Sequence, residues 1–467
     1  MKRLAITSIQ RRGHQLAMAF DIDGYRFSTS YWYGDVDLDA LAERVGAAVV
    51  DRLCFHIAAF EVNKLASLAP EVIDLGPYAV HHTEAFERLW RRVFEKVWAQ
   101  WRYEHDRPGY AGPAFASSPR AADAGPMAAT AGDVDVLSFC GGGKDSLVAA
   151  KLLERGGVPH ASFAYASSIY GRAVPQHALI DDLLDQCAPA RRHRMWSYDD
   201  FMDSPVAELV PAGVRSLAAA ETPASVFAAL PLVLAHGYRY LALAHEASAN
   251  VGNLVWDATG EDVNHQWGKS LEAEALLDDY VRGELVAGVS YFSVLQPIHD
   301  ALIFWLLRRD AGAVAHTHSC NVAKPWCWEC PKCAYVWLGY LAYLPREVVA
   351  PLLARPVFDL PANAEHFRRM LGLAEHTPFE CIGQIDEARL AFELCRLTGY
   401  TGAAIDAYAR ELGARDIDID AIAAKYLAVN REQHRIPPAI ADAVLPQMER
   451  AGADALEYIR SSVRTAS

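Results

Sequence analysis

Three consecutive glycines, Gly141–Gly143, separate an apolar run from a helical pattern in the stretch VLSFCGGGKDSLVAAKLLE, residues 136–154. Glycine backbones reach conformations closed to other residues, so they can aim several N–H groups at one point and let a ligand come close. The helix predicted to follow them adds the partial positive charge of its N-terminus. Together these features predict an anion site whose usual occupant is phosphate.

The loop has the residue order of neither common nucleotide-phosphate motif. A Walker A loop needs a glycine, four further residues, and then Gly-Lys-Ser or Gly-Lys-Thr. Here Lys144 is followed by Asp145, and Ser138 stands where the first glycine belongs. The sequence also differs from the Gly-x-Gly-x-x-Gly dinucleotide fingerprint. A glycine-rich turn between a strand and a helix, without a ligand, is the structural alternative.

The loop resembles instead the PP-loop of ATP pyrophosphatases, whose motif is Ser-Gly-Gly-x-Asp-Ser. The residues that match it are Gly142, Gly143, Asp145 and Ser146, with Lys144 at the free position. Gly141 stands where the family has its serine, so one hydroxyl contact to phosphate is lost. The match is fairly specific because a predicted strand precedes the loop and a predicted helix follows it, as the family requires.

The PP-loop resemblance implies a reaction. In that family the loop holds the β- and γ-phosphates of ATP while a substrate oxygen attacks the α-phosphorus, which gives an adenylated substrate and pyrophosphate. Carried over to this sequence, Gly141–Gly143 and Ser146 would bind ATP, and Lys144 with a magnesium ion would neutralise the leaving pyrophosphate. Asp145 is expected to bind the metal ion or a water, unless it only supplies a carboxylate at a helix N-terminus.

A cluster of four cysteines has the spacing of a metal site. The pattern C-x6-C-x2-C-x2-C is formed by Cys320, Cys327, Cys330 and Cys333. Four thiolates in such a pattern suit a closed, tetrahedral, structural zinc. Unligated cysteines and an iron–sulfur cluster are the alternatives, although Trp337 stands where the fourth cysteine of a ferredoxin run belongs. The nearby His316 and His318 could support the metal ligands, contact substrate or form polar surface, and we interpret each of them as polar surface.

Residues 244–274 are unusually rich in Asn, His, Trp and charged side chains, and they follow a predicted strand. Such a loop at a strand end is a candidate site. Its candidate residues are His245, Glu246, Asn250, Asn253, Asn264, His265 and Lys269. Arg172, after an earlier strand, is a candidate for binding a substrate carboxylate. The alternatives are a long, internally hydrogen-bonded surface loop and a solvated arginine.

The pattern from Val134 onwards predicts the element that positions these residues. Strand-like and helical segments alternate there, which is typical of an α/β fold with a doubly wound parallel sheet that binds ligands beyond its carboxyl edge. A turn signal at Asp23-Gly24 predicts an N-terminal hairpin, and Thr83 is expected to cap a helix. The predicted units are an α+β domain at 1–105, a linker at 106–133, the nucleotide-binding domain at 134–310, a metal-binding segment with the four cysteines at 311–340 and a helical region at 341–467.

Composition limits the partners. The chain of 467 residues has a formal net charge of −14, so it lacks the basic field of a protein that grips long nucleic acids. A small anion in a local basic pocket fits better. The most apolar window, residues 225–244, is interrupted by Pro231 and Gly237 and predicts a buried helix and strand, not a membrane span. Clustered cysteines without an export signal predict a cytoplasmic protein.

Over nearly its whole length the sequence resembles a second group, the UDP-N-acetylmuramoyl-L-alanyl-L-glutamate epimerases (MurL) of bacterial cell-wall synthesis. The resemblance rests on SFCGGGKDSLVA at 138–149, EASANVGNLVWDATGEDVNHQWGKS at 246–270 and SCNVAKPWCWECPKCAYVWL at 319–338. It implies that a UDP-muramoyl dipeptide has its terminal L-glutamate converted to D-glutamate with ATP and magnesium, and that AMP and pyrophosphate are released.

The implied reaction needs an adenylate and at least one proton-transfer group. Adenylating the glutamyl carboxylate removes its charge, so that loss of the α-proton gives an enolate that hydrogen-bond donors can stabilise. The candidates for proton transfer are His245, Glu246 and His265, whereas Cys140 is interpreted as a buried strand-end residue. An acyl-adenylate ligase, similar to an amide or nitrile synthase, and a non-catalytic nucleotide-binding protein remain alternatives. The identity of the base and the oligomeric state stay open.

Overall fold

A computed structural model describes residues 1–121, 125–206, 216–413 and 417–466. Its central element is a ten-stranded sheet, and two strand pairs lie outside it. In chain order the strands are β1 Arg3–Arg12, β2 Gln15–Ile22, β3 Tyr25–Tyr33, β4 Val72–Asp74, β5 Ala114–Phe115, β6 Met127–Ala128, β7 Val136–Cys140, β8 His160–Ser167, β9 Arg192–Asp199, β10 Tyr240–Leu243, β11 Leu254–Trp256, β12 Glu261–Val263, β13 Val286–Ala287 and β14 Ser290–Ser293. The large sheet has the order β14-β10-β7-β8-β9-β3-β2-β1-β4-β5.

Five strands, β14-β10-β7-β8-β9, are mutually parallel. The chain starts this part of the sheet in its middle at β7, runs outward to β9, and then returns through β10 to β14 on the other side. The strand order therefore reverses between β7 and β10. The predicted strands β7, β8, β9 and β10 are confirmed, whereas β14 was not predicted.

Helices join the parallel strands and form the C-terminal region. Their bounds are Leu38–Val45, Ala47–Val62, Glu84–Val97, Ala99–Glu104, Lys144–Arg155, Ala173–Leu184, Glu221–His236, Leu271–Tyr280, Asp300–Leu306, Pro331–Tyr343, Arg346–Val349, Pro361–Met370, Ile385–Leu397, Ala403–Glu411, Ile419–Tyr426 and Pro438–Ala466. Thr83 caps its helix as predicted, accepting a hydrogen bond of 3.1 Å from the N–H of Phe86. The predicted helical C-terminal region is confirmed.

The N-terminal strands extend the same sheet. The predicted hairpin is present, with Asp23 and Gly24 at positive φ between β2 and β3. β3 then pairs antiparallel with β9, from Thr29 opposite Asp199 to Tyr33 opposite Met195. Because β9 would otherwise be an open edge of the parallel part, this pairing satisfies its backbone groups. The sheet is thus continuous from the N-terminal region into the parallel part.

Both faces of the parallel strands are buried. On one face Leu137 and Phe163 join an apolar core with helices Ala47–Val62 and Glu221–His236. On the other face Val136 and Ala164 join a second core with the helices of the C-terminal region. The window at 225–244 forms a buried helix, a left-handed Gly237 and the strand β10, as predicted. Within the described ranges, none of the helices is both long and apolar enough to cross a membrane.

Candidate functional site

The glycine loop joins the end of β7 to the helix Lys144–Arg155. The N-cap residue is Gly143, which has no side chain to satisfy the N–H groups of the first turn. The Gly141 N–H donates to Ser146 Oγ at 3.3 Å. A Cβ added at Gly141 would meet nothing within 4 Å among the described residues, so the loop is open to a ligand at this position.

The other two glycines have a packing role. Gly142 has a φ of +87°, and a Cβ added there would lie 1.9 Å from Cε1 of His318. A Cβ at Gly143 would lie 3.1 Å from Ser319 Oγ. The His318 N–H donates to the Gly142 carbonyl at 2.8 Å, and the imidazole is only 2% exposed. The interpretation of His318 as polar surface was therefore wrong, because the glycines leave room for its ring.

The side chain of Lys144 is buried next to the glycine loop, and two carboxylates neutralise its charge. Its ammonium group donates to Asp145 Oδ1 at 2.5 Å and also to Asp300 Oδ1. It is 1% exposed, and its Nζ lies 4.9 Å from the ring centre of Phe304. Burial and the charges of Asp300 and Asp145 raise the pKa of Glu246, which favours its protonated form.

Two adjoining cavities lie at the carboxyl edge of the parallel strands, where the strand order reverses. The first, of about 320 Å³, is lined by Gly141 of the loop, by the ends of β8, β9 and β10, and by Phe60, Glu61 and Lys64 of the N-terminal region. The second, of about 330 Å³, shares residues 219–222 with the first. Ligands of open parallel sheets bind at such a point.

Predicted residues line both cavities. His245 lines the first, and burial together with the charge of Lys269 lowers the pKa of its imidazole to about 3, so the ring is neutral near pH 7. His265 and Lys269 line the second cavity. Burial opposes ionisation of Asp145, but Lys144, Lys332 and Lys269 together lower its pKa, so positive charge lies close to the loop. A local basic group in an acidic chain is what the composition predicted.

The second cavity contains a thiol that sequence reasoning missed. Cys381 lies beside Glu380 and His265, with the ligand-type atoms of the three residues within 4.8 Å of one another. Burial opposes ionisation of this thiol, but Lys269 and His265 lower its pKa to about 6. The ring nitrogen Nδ1 of His265 lies 2.6 Å from Gln100 Oε1. A single cysteine outside the C-x2-C pattern carries no signal in sequence, so only the fold reveals it.

The three candidate asparagines stabilise the polar stretch of residues 244–274 through hydrogen bonds. Asn250 donates to Ala247 O and Gln296 Oε1 and accepts from the Leu271 N–H. The side chain of Asn253 bridges the His265 backbone N–H and the Pro378 carbonyl, and that of Asn264 bridges the Gln266 N–H and the Ala249 carbonyl. Arg172 is exposed and lies outside the described lining of either cavity. The structure therefore gives these asparagines internal partners, whereas His245 lines the first cavity and His265 and Lys269 line the second. Glu246 is buried, and besides this burial the charges of Asp300, Asp145 and Lys269 act on its pKa.

The four clustered cysteines converge at the start of the helix Pro331–Tyr343. The Sγ atoms of Cys320 and Cys330 are 3.9 Å apart, and those of Cys327 and Cys333 are 3.8 Å apart. Tetrahedral zinc with Zn–S bonds of about 2.3 Å requires sulfurs about 3.8 Å apart, so the donor set fits zinc. Lys332, between two of the cysteines, donates to the carbonyl oxygen of Cys381. The cluster thereby fixes one wall of the second cavity.

Comparison with known proteins links two segments of the chain, residues 221–294 and 315–407, to one family. The model for the MurL C-terminal domain matches residues 315–407, and the model for the MurL N-terminal domain matches residues 221–294. A protein of Salinispora tropica named UDP-N-acetyl-alpha-D-muramoyl-L-alanyl-L-glutamate epimerase is 32% identical over 55% of each chain. Proteins of the same name from Micromonospora sp. and Xanthomonas oryzae are 30% and 28% identical over 56% and 66% of this chain, and over 57% and 67% of their own length.

These matches confirm the predicted resemblance to the MurL family. The aligned part spans about half the length of the Salinispora and Micromonospora relatives. No solved structure matches the chain.

Proposed function

Because both domain models of the MurL family match the chain, we propose that it is an ATP-dependent epimerase. Its substrate is UDP-N-acetylmuramoyl-L-alanyl-L-glutamate, whose terminal L-glutamate becomes D-glutamate in peptidoglycan precursor synthesis in the cytoplasm. The observation that carries the proposal is that the three relatives named for this reaction all resemble the chain. The glycine loop, which lines the first of the two adjoining cavities, supports it.

ATP would bind at the glycine loop. The open side at Gly141 and the first-turn N–H groups after Gly143 suit a phosphate group. The parallel strands with helices on both faces support the doubly wound, PP-loop type of fold. Magnesium bound with ATP would supply charge neutralisation for the pyrophosphate, and Asp145 would be its ligand from the loop. Lys144 is ion-paired below the loop, so we assign it the role of orienting Asp145.

A glutamyl carboxylate adenylated at the loop would present its α-carbon to the cavities. Lys269 carries a positive charge beside them, and it would stabilise the enolate oxygen. His245 is neutral near pH 7 and can accept a proton, whereas the raised pKa of Glu246 lets its carboxyl group donate one. Zinc held by the four cysteines would be structural, and it would keep Lys332 in place to bind the carbonyl oxygen of Cys381 in the wall of the second cavity.

The direct test follows the stereochemistry of the product. The full chain would be incubated with UDP-N-acetylmuramoyl-L-alanyl-L-glutamate, ATP and magnesium, and glutamate would be separated by chirality after acid hydrolysis. AMP and pyrophosphate would be measured in the same samples. We expect D-glutamate to appear only when ATP is present.

Two serine variants provide the control. Ser146→Ala removes the hydroxyl group of the loop, and it should abolish both AMP release and D-glutamate formation. Ser462→Ala, on the last helix, should leave both unchanged. AMP without D-glutamate would instead indicate a ligase that lacks its amine acceptor. Neither product would refute the epimerase for this substrate.

A further inference from the structure

We propose that the Cys381 thiolate is a catalytic base of this site, taking the α-proton of the activated glutamyl residue. The inference rests on the proposed function and adds a residue to it. Cys381 lies in the loop between helices Pro361–Met370 and Ile385–Leu397 and lines the second cavity together with His265 and Lys269. A thiolate is a soft, weakly hydrated base, which suits removal of a proton from carbon.

The surroundings of Cys381 favour an anion. Its positively charged neighbours are Lys269, His265 and Lys332, while Glu380 and Tyr170 are the acidic groups close to it. The carboxylate of Glu380 already has hydrogen-bond donors, since its Oε1 accepts from the Asn321 side chain at 2.7 Å and from the backbone N–H of Cys381 at 2.8 Å. A metal ion at His265, Glu380 and Cys381 would be repelled by the Lys269 ammonium. The set therefore suits a thiolate better than a metal ion.

A second side chain in the same cavity points to a ligand. Gln266 is 5% exposed and lines the cavity. Its amide nitrogen donates to the Ile382 carbonyl at 2.8 Å, next to Cys381, which fixes the other end of the amide group as the acceptor. That acceptor, Oε1, has no hydrogen-bond partner among the described residues. Because a buried unpaired acceptor is costly, it calls for a donor from a ligand.

The substrate carries a suitable donor. The amide N–H of the alanyl–glutamyl bond is attached to the very α-carbon whose proton is lost. If Gln266 Oε1 accepts this N–H, the α-carbon lies close to the cavity wall that contains Cys381. Burial lowers the pKa of the His265 imidazole, but Cys381 and Glu380 raise it by more, which favours the charged form. Because the charged imidazole has no free lone pair to accept a proton, His265 is a poorer base than Cys381.

The proton transfer balances without a further reactant. The α-C–H bond breaks, the proton goes to sulfur as an S–H bond, and the C–H electron pair moves into the carbonyl group as an enolate. A second group, the protonated carboxyl group of Glu246 in the proposal above, delivers one proton to the opposite face as the carbonyl group re-forms. In the reverse direction the Cys381 thiol is the acid.

The test compares Cys381→Ser with Cys187→Ser in the full chain, with ATP, magnesium and the dipeptide substrate in deuterated water. Cys187 is also partly exposed, but burial raises the pKa of its thiol to about 12. We expect Cys381→Ser to keep releasing AMP while D-glutamate and α-deuterium incorporation fall by about 100-fold or more. Cys187→Ser should match the wild type in all three readouts.

The outcomes separate the two proposals. Wild-type protein that gives neither AMP nor D-glutamate refutes the proposed function, and the role of Cys381 falls with it. An active wild type with an equally active Cys381→Ser variant refutes the role of Cys381 alone.

A second measurement does not depend on the variant's folding. The rate of alkylation of Cys381 by iodoacetamide in the wild type should follow a pKa of about 6. Lys269→Met should move that midpoint upward, because it removes the ammonium that stabilises the thiolate. A wild-type midpoint near about 8.5, that of an ordinary thiol, would overturn the proposal.

Discussion

Replacing Gly142 by alanine tests whether the glycine loop is shaped by His318. The new Cβ would lie 1.9 Å from Cε1 of His318, and ordinary contact begins at 3.4 Å, so the imidazole must move by about 1.5 Å. The ring is buried, and its own backbone N–H is bonded to Gly142. Overpacking of this kind costs about 1–3 kcal/mol, and the left-handed backbone at φ +87° costs an alanine about 1–2 kcal/mol more. We expect a loss of about 2–5 kcal/mol in the free energy of unfolding.

Urea unfolding followed by circular dichroism measures this loss, and two further variants assign its cause. Gly141→Ala adds the same methyl group to the same loop where it meets nothing within 4 Å of the described residues, so it should change stability by less than about 1 kcal/mol. In a His318→Ala background the cost of Gly142→Ala should fall by about 1 kcal/mol or more, because the clash is gone. Equal stability of the two glycine variants, or the same cost with and without the imidazole, would refute the reasoning.

Three further predictions concern buried charges and the cysteine cluster. Lys144→Met leaves Asp145 and Asp300 without their cation, and urea unfolding should show a loss of about 3–5 kcal/mol, whereas Lys151→Met on the same helix should cost about 1 kcal/mol or less. Metal analysis should find one zinc per chain in the wild type and none in Cys330→Ser; a wild type purified without chelators that contains no zinc would contradict the proposed site. Burial raises the pKa of Glu274 from 4.5 to about 8, so the folded chain holds an extra proton between these values. The stabilisation that this protonated carboxyl group gives to the folded state is present below pH 4.5 and is lost as the pH rises through about 8. The slope of unfolding free energy against pH in this window should be shallower in Glu274→Gln. An unchanged slope would contradict the assignment.

Local patterns in the sequence were enough to predict much of the frame. The alternation of strands and helices from β7 to β10, the turn at Asp23-Gly24 and the cap at Thr83 each depend on neighbouring residues. The glycine loop and the four cysteines are equally local, because their spacing alone limits what they can bind. The relation to the MurL family also followed from short stretches of this kind.

Contacts between segments that are distant in the sequence could not be predicted from local patterns. The pairing of β3 with β9 joins the N-terminal region to the parallel part of the sheet, and no local pattern specifies which edge a strand will cover. The same holds for the inward direction of Lys144, which depends on Asp300 at the start of a later helix. The candidate asparagines looked like ligands for substrate because some of their hydrogen-bond partners lie far away in the sequence, such as the Gln296 side chain for Asn250 and the Pro378 carbonyl for Asn253.

The sequence by itself determined which chemistry is available: a glycine loop for an anion, thiolates spaced for a metal ion, and a polar loop after β10 rich in histidines and a lysine. Only the tertiary structure decided which of these groups meet. It placed His318 against Gly142 and brought Cys381 beside His265 and Lys269. The physical reason is that the pKa of a side chain and its access to a cavity depend on neighbours that become close only when the chain folds.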